Sequence, residues 1–311
     1  MRTQPLMLDV DTGVDDAAAI AMAIGLRANL VAVSTVAGNV PIDYATDNSL
    51  RVLSLLGKAD VPVFRGASRP LVATYQDAAH VHGGNGLGGA ELPVAQGREG
   101  ELTGPEAIIH HAERHAGDLT LVMLGPLTNL AIALSLRPRI TRQIANVVVM
   151  GGAFSTSGNV TPHAEFNIYV DPDAAQQVFD APWNAITAVG LDVTHQTVLS
   201  RAIWEAIPPG AGAAGLLRDV AARTFLEREM SGFYLHDPLA VAVALDPSLV
   251  SGTTRAIHVA TSDDGRGKTT VRDGGHVLVA SEVKAETFVR RFCDALGLQY
   301  VADPAGLANA E

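Results

Sequence analysis

The sequence predicts an α/β protein with an open, mostly parallel β-sheet flanked by helices and with antiparallel hairpins appended near the C-terminus. Short β-branched runs alternate along the chain with longer runs rich in Ala and Leu, which is the pattern of repeated β-α-β units. No internal repeat, low-complexity tract or linker interrupts the 311 residues. We therefore expect a single domain that spans residues 1–311.

Strands are expected where apolar and β-branched residues are continuous, because strands of a parallel sheet are buried on both faces. The expected strands are residues 6–10, 30–35, 61–64, 119–124, 147–150 and 186–189. The expected helices between them are residues 15–28, 42–56, 105–115, 130–136 and 171–179. Some helices carry start signals, such as Pro105 after Gly104.

The last third of the chain has a different pattern. Residues 212–230 are rich in Ala and predict a helical stretch, and β-branched residues follow over 256–279. Two turn signals interrupt that second region, Asp263-Asp264-Gly265 and Asp273-Gly274-Gly275, and each predicts a hairpin turn.

Composition excludes several classes of protein. The chain has 48% hydrophobic residues and a net charge of -11, and its Lys and Arg are not gathered into a patch, so a nucleic-acid polymer is not an expected partner. No apolar run is long enough to span a bilayer and no signal peptide is visible, so we expect a cytoplasmic protein without a membrane partner. Cys293, the single cysteine, is expected on the buried face of a C-terminal helix.

Four carboxylates lie within eight residues, directly after the first expected strand. They are Asp9, Asp11, Asp15 and Asp16. Like charges this close repel unless a cation lies among them, and helix capping explains one or two acids but not four. Oxygen ligands favour Ca²⁺ or Mg²⁺, so the cluster predicts a site for a hard divalent cation.

Glycines and polar residues follow four of the other expected strands. We expect them at the same edge of the sheet, where ligands bind in open α/β folds. Gly38-Asn39 follows the second strand, Gly125 the fourth, Gly151-Gly152 the fifth and Asp192 the sixth.

The residues alone leave more than one function open. An EF-hand loop is excluded because its fifth and twelfth positions would be Gly13 and Ile20. An Mg²⁺-dependent phosphatase of the haloacid dehalogenase type stays possible, with Asp9 as nucleophile and Asp11 as acid and base. A nucleoside- or sugar-binding protein without catalytic activity is the non-enzymatic alternative.

A run of motifs resembles the inosine-uridine-preferring nucleoside hydrolase family. The first motif is Asp9-Val10-Asp11-Thr12-Gly13-Val14-Asp15-Asp16-Ala17, close to the family's DxDPGxDDA signature. The others follow in order as residues 35–40 (TVAGNV), 80–83 (HVHG), 125–131 (GPLTNLA), 150–152 (MGG) with Asn159, 164–167 (AEFN), 190–195 (GLDVTH) and 236–238 (HDP). Together they cover most of the chain.

The resemblance implies hydrolysis of the N-glycosidic bond of ribonucleosides by a Ca²⁺-dependent enzyme that commonly forms a dimer or tetramer. It implies Asp11, Asp16, Asp237 and the Leu124 carbonyl as metal ligands, Asp11 as the general base that activates water, and His236 as the candidate acid for the departing base. The substrate-binding residues carried over are Asp15, Asn39, His82, Met150, Asn159, Glu165, Phe166 and Asn167.

The chain departs from the family pattern at two positions. Thr12 replaces the usual proline, and Gly83 stands where purine-specific members have a tryptophan. The preferred base is therefore left open, with Phe225, Phe233 and Tyr234 as candidate aromatic contacts. We expect His195 to be structural and residues 110, 111 and 115, all histidines, to lie at the surface.

Overall fold

The computed structural model describes residues 4–262 and 265–302. Its strands, in chain order, are β1 (Pro5–Val10), β2 (Asn29–Thr35), β3 (Val63–Arg65), β4 (Leu119–Met123), β5 (Ile144–Met150), β6 (Ile186–Val189), β7 (Val198–Ser200), β8 (Gly232–Tyr234), β9 (Val250–Val259) and β10 (Thr269–Val283). Each of the six strands expected in the first two thirds of the chain is present, with bounds that differ by up to three residues.

The described strands form an eight-stranded sheet in the order β3-β2-β1-β4-β5-β6-β10-β9, and a separate pair, β7 and β8. The first six strands of that order are parallel to their neighbours, β10 is parallel to β6, and β9 is antiparallel to β10. The predicted parallel sheet with antiparallel C-terminal strands is confirmed. The pair β7 and β8 was not predicted, because each has only three residues.

The α-helices are α1 (Val14–Gly25), α2 (Ile42–Leu55), α3 (Ala79–His82), α4 (Gly104–Arg114), α5 (Thr128–Leu136), α6 (Ile140–Gln143), α7 (Phe166–Val170), α8 (Pro172–Asp180), α9 (Leu191–Thr194), α10 (Arg201–Glu205), α11 (Gly212–Val220), α12 (His236–Leu245) and α13 (Ala285–Leu296). A π-helix covers Arg223–Glu227 and a 3-10 helix covers Pro247–Leu249. Within the described residues, none of the helices combines the length and the apolar character needed to cross a bilayer.

Helices cover both faces of the sheet, as the alternation of side chains along β1 shows. Leu6 and Leu8 belong to a buried cluster with residues of α1, α12 and α13, whereas Met7 belongs to a second cluster with α4, α5 and α8. Successive side chains of a strand point to opposite faces, so these two clusters are the two layers of core. Cys293 of α13 is buried in the first cluster, as predicted.

The predicted turn at Asp273-Gly274-Gly275 is wrong. β10 is continuous from Thr269 to Val283, and its register against β9 shifts between Arg272 and Val277, so the intervening residues form a bulge. Gly274 has a φ of 84°, and a Cβ on Gly275 would lie 1.9 Å from the backbone nitrogen of Ala256. The two glycines therefore serve a bulge, not a chain reversal. The other predicted turn begins at Asp263-Asp264, which lie outside the described residues.

Candidate active site

The acidic cluster lies at the carboxyl ends of the central strands. Asp11 follows β1, Asp15 and Asp16 are in the first turn of α1, and Asp237 comes from the first turn of α12, far along the chain. Asp15, Asp16 and Asp237 each offer a carboxylate oxygen within 4.8 Å of the other two. The predicted pairing of Asp16 with Asp237 is thus present in the fold, and Asp15 joins them.

Hydrogen bonds fix the orientation of the two carboxylates nearest β1. Asn39 donates its backbone N–H to Asp11 Oδ2 at 2.7 Å and its side-chain amide to Asp11 Oδ1 at 3.0 Å. Asp16 Oδ2 accepts from the Gly13 N–H at 2.8 Å, and Asp16 Oδ1 accepts from the Asp11 N–H at 3.2 Å. Both side chains are fully buried.

The cluster has the electrostatics of a cation site. Burial, and after it the charges of neighbouring Asp residues, raise the pKa of Asp11 and the pKa of Asp237 well above the usual range. Asp15 Oδ1 is buried without a hydrogen-bond partner, although Asp15 accepts backbone hydrogen bonds that lower its pKa against the larger effect of burial. Carboxylates that repel one another and keep an unpaired oxygen fit a hard divalent cation, which would favour their ionised forms.

The predicted ribose-binding segment closes the neighbouring side of the cluster. Asn167 donates its side-chain amide to the Leu124 carbonyl at 2.7 Å and to the Met150 carbonyl at 3.2 Å. Glu165 caps α7, because its carboxylate accepts from the backbone of Asn167 and Ile168, and it also accepts from the Gly152 N–H at 3.1 Å. The Leu124 carbonyl keeps a second lone pair for another ligand.

Two histidines adjoin the carboxylates: His82 Nδ1 is 4.0 Å from Asp15 Oδ1, and His236 directly precedes Asp237. His236 Nδ1 and Thr194 Oγ1 are 2.7 Å apart, and His82 Nδ1 accepts from the Val14 N–H at 3.1 Å. Burial lowers the pKa of His236 to about 3 and that of His82 to about 4, so both imidazoles are neutral near pH 7. A neutral imidazole can donate through one nitrogen and accept through the other.

One cavity joins the carboxylates, the ribose-binding segment and the histidines. All eight predicted substrate-binding residues line it, together with Leu124, His236 and Asp237. Asp11 and Asp16 lie behind that lining. The remaining lining residues are Ala78, His80, Val81, Val160, His195, Phe233 and Tyr234.

His195 is the clearest residue that sequence reasoning missed. It was expected to be structural, but it lines the cavity, and its ring centroid lies 4.6 Å from that of Tyr234 and 5.7 Å from that of His236. Its place as the last residue of the matched motif 190–195, soon after the end of β6, was the available signal.

Two other expectations about side chains are wrong. Phe225 is outside the cavity lining and stacks on Trp204 with ring centroids 4.9 Å apart, so it is a core residue and not a base contact. His111 was expected at the surface but is buried beside Phe64, because it lies on the face of α4 that packs against the sheet.

The position of Asp9 argues against the phosphatase alternative. Asp9 is fully buried, and its Oδ2 accepts hydrogen bonds from Ser34 and Asn129. Neither of these partners lines the cavity, whereas Asn39, the partner of Asp11, does. A nucleophile must reach the reacting atom of the substrate, and Asp9 instead supports the strand end from which Asp11 projects.

Comparisons with known proteins agree with this geometry. The family model described as inosine-uridine preferring nucleoside hydrolase matches residues 6–290. The chain is 37% identical to an inosine-uridine preferring nucleoside hydrolase of Leishmania major, over 79% of this chain and 80% of that protein. It is 36% identical to a non-specific ribonucleoside hydrolase of Klebsiella pneumoniae, over 94% and 98% of the two chains.

The fold is also similar to solved structures. A purine-preferring ribonucleoside hydrolase from Gardnerella vaginalis superimposes with a TM-score of 0.89 and 33% identity, covering 94% of this chain and 98% of the other. The family match extends over the strands, the acidic cluster and the histidines described above. The chain therefore belongs to the inosine-uridine preferring nucleoside hydrolases and is an N-glycosidase of that family.

Proposed function

We propose that this protein hydrolyses ribonucleosides to ribose and a free nucleobase with the help of one Ca²⁺ ion. The observation that carries the proposal is that one cavity is lined by buried carboxylates, by Asn167 and Glu165, and by two histidines, His82 and His236. Such a cavity offers partners for sugar hydroxyls next to groups that exchange protons with a base.

The carboxylates of Asp11, Asp16 and Asp237 and the carbonyl of Leu124 would hold the cation. These are oxygen donors, and their mutual repulsion and the unpaired oxygen of neighbouring Asp15 fit a hard divalent ion. When bound, Ca²⁺ orients a water molecule and lowers its pKa.

Asp11 is proposed as the general base that accepts the proton of the attacking water. Its carboxylate is held at both oxygens by Asn39, so its orientation is fixed before substrate binds. The anionic cluster also stabilises the positive charge that develops on the sugar, because glycosidic bonds break through an oxocarbenium-like transition state.

Asp15, Asn39, Asn159, Glu165 and Asn167 are proposed to bind the ribose. Carboxylate and amide groups suit hydroxyls because each hydroxyl both donates and accepts a hydrogen bond. Asn159 Oδ1 accepts from the Phe166 N–H at 3.0 Å, which leaves its amide group free to donate. Met150 would pack beneath the sugar, and its carbonyl is held by Asn167.

His236 is proposed to protonate the departing base, for which its ring, neutral in the free protein, must gain a proton in the complex with substrate. The hydroxyl of Thr194 fixes its ring through Nδ1, so its other nitrogen is the one available to the base. His82 also lines the cavity and is proposed to contact the base. Phe233 and Tyr234 add aromatic surface there.

The test is a panel of purine and pyrimidine ribonucleosides assayed for reducing sugar, with and without a chelator, next to phosphate release from phosphate esters. We expect ribose release that the chelator abolishes and Ca²⁺ restores. Phosphate release alone would favour the phosphatase, and nucleoside binding without turnover would favour a binding protein. Uridine should be cleaved far faster than 2′-deoxyuridine, because the ribose hydroxyls would contact the metal and Asp15. Equal rates would contradict the proposed ribose site.

A further inference from the structure

Arg266 lies in the turn that precedes β10, outside the cavity lining, yet its guanidinium group bridges two segments of the active site. Nε donates to the Tyr169 carbonyl at 2.8 Å, and Nη2 donates to the Val170 carbonyl at 3.1 Å. Nη2 also donates to the Thr74 carbonyl at 3.3 Å. The guanidinium carbon lies 4.4 Å from the centroid of the Tyr169 ring, within the range of a cation–π contact.

The first segment that Arg266 holds is α7, which carries Phe166 and Asn167. Tyr169 and Val170 are its last residues, and the carbonyls at the end of a helix have no partner within the helix. A cation at this end also interacts favourably with the helix dipole. Arg266 therefore donates hydrogen bonds to two carbonyls at the C-terminus of α7, while Glu165 caps the N-terminus of the same helix.

The second segment is residues 66–78, which have no helix or strand and lead directly into α3 with His80 and His82. The Thr74 carbonyl is bound by Arg266, and the Leu71 N–H donates to Asp171 Oδ2 at 2.9 Å. These two contacts tie the segment to the residues around the end of α7. Tyr75, next in sequence, donates its hydroxyl to the Gly38 carbonyl at 3.1 Å.

The turn that carries Arg266 is itself docked against the ribose-binding side. Gly267 has a φ of 77°, and a Cβ there would lie 2.7 Å from the Cα of Tyr169, so the backbones approach closely. Lys268 forms an antiparallel bridge with Ala164, and the Thr269 hydroxyl donates to the Ala153 carbonyl at 2.8 Å. These contacts hold the backbone of the turn in place, so the position of Arg266 relative to α7 is fixed.

We propose that Arg266 is a positioning residue of the active site, which sets the separation between α7 and residues 66–78, the segment that leads into α3 with His80 and His82. The three accepting carbonyls lie around one planar guanidinium, a geometry that Lys cannot reproduce with its single ammonium group. The kinetic part of this proposal rests on the proposed hydrolase function, and the structural part does not.

The experiment compares Arg266→Met and Arg266→Lys with Arg272→Met, an exposed arginine on β10 that serves as the matched control. We expect kcat/KM for uridine or inosine to fall roughly 10- to 100-fold in Arg266→Met, because small misplacements of binding groups have effects of this size. The fall in kcat/KM should come mainly from a higher KM. Arg266→Lys should have a kcat/KM between those of Arg266→Met and the wild type, and Arg272→Met should match the wild type. Guanidinium at millimolar concentration should partly restore Arg266→Met.

Amide hydrogen exchange supplies a readout that does not depend on activity. Exchange in Arg266→Met should accelerate in residues 71–78 and 166–170 and stay unchanged in β1 and β4. Unchanged kinetics in Arg266→Met, with an active wild type, would overturn the proposal, and so would faster exchange over the whole chain. If the wild type cleaves no ribonucleoside, the proposed function fails, and localised exchange would still support the bridging role of Arg266.

Discussion

Asn39 contacts two of the four clustered carboxylates at once. Its backbone and side-chain nitrogens donate to both oxygens of Asp11, and the same side-chain nitrogen lies 3.2 Å from Asp16 Oδ2. A neutral residue thus offsets part of the repulsion between two buried anions. Asn39 also lines the cavity, so it links the carboxylates to the proposed ribose site.

Replacing Asn39 by Leu should destabilise the protein and impair catalysis. The side-chain hydrogen bonds to charged oxygens are lost, and we expect the free energy of unfolding to fall by about 2–3 kcal/mol, the size of such bonds. Urea unfolding and kcat check this. Asn184→Leu is the control, because it removes amide hydrogen bonds to the Arg142 and Ile144 carbonyls without touching a carboxylate. Equal effects on kcat in both variants would contradict the role of Asn39.

Asp237→Asn should stabilise the metal-free protein while it removes activity. Asn cannot carry a negative charge, so it relieves the repulsion among buried carboxylates, and single stabilising substitutions commonly add about 0.5–2 kcal/mol. Thermal unfolding in chelator should therefore show a higher midpoint in the variant than in the wild type. Added Ca²⁺ should raise the midpoint of the wild type only. A variant that is less stable in chelator would be evidence against like-charge repulsion.

Asp11→Asn should lower kcat by at least about 100-fold, the scale of a lost general base. The amide keeps the shape of the side chain but cannot accept a proton from water. Steady-state rates with uridine and inosine, measured at saturating Ca²⁺, provide the test. Asp43→Asn, an exposed carboxylate on α2, should leave kcat unchanged. Near-normal turnover in Asp11→Asn would remove Asp11 from the mechanism.

His111 should make the stability of the protein depend on pH. Burial, and then the neighbouring His110, lowers its pKa from 6.5 to about 4. The unfolded chain therefore binds the proton at a higher pH than the folded one, and the stability present above pH 6.5 is lost as the pH falls towards about 4. About one extra proton should be taken up on unfolding near pH 5.

The measurement is the urea midpoint of wild type and His111→Leu at about pH 7.5 and about pH 5. In His111→Leu, the decrease of the urea midpoint between the higher and the lower pH should be much smaller than in the wild type. At the higher pH the substitution should lower the midpoint little, because His111 Nδ1 is buried without a hydrogen-bond partner. His110→Leu, at an exposed position, is the control, and its urea midpoint should fall with pH as that of the wild type does. If the urea midpoint of His111→Leu falls with pH as much as that of the wild type, other groups cause the pH dependence.

The sequence was most informative where chemistry and backbone position coincide. The run from Asp9 to Asp16 could be placed at the end of β1 because an apolar strand precedes it and a helix follows, and the fold agrees. The same reasoning placed Asn39 and Gly151 at the same sheet edge. Asp237 could be joined to the cluster only through the family resemblance, since periodicity carries no information about which distant helix start faces β1.

Contacts made by backbone carbonyls could not be predicted from the sequence. Arg266 binds three carbonyls, whose positions depend on the folded path of the chain and not on side-chain type. His111 was expected at the surface with His110, although two adjacent helix residues cannot share a face; the face of α4 that His111 occupies packs against the sheet. Glycine pairs favour both turns and bulges, so the sequence Asp273-Gly274-Gly275 does not distinguish between the two.

The contact between Arg266 and Thr74 joins residues that are 192 positions apart in the chain, whereas Asn39 and Asp11 are 28 apart. Contacts between distant residues are entropically costly to close and are favoured only after much of the chain is ordered. The contacts of Asn39 with Asp11 and Asp16 can therefore form with the first β-α-β unit, whereas the contacts of Arg266 with α7 and with Thr74 require the C-terminal part of the chain. During refolding, order around Asp11 should precede hydrolytic competence.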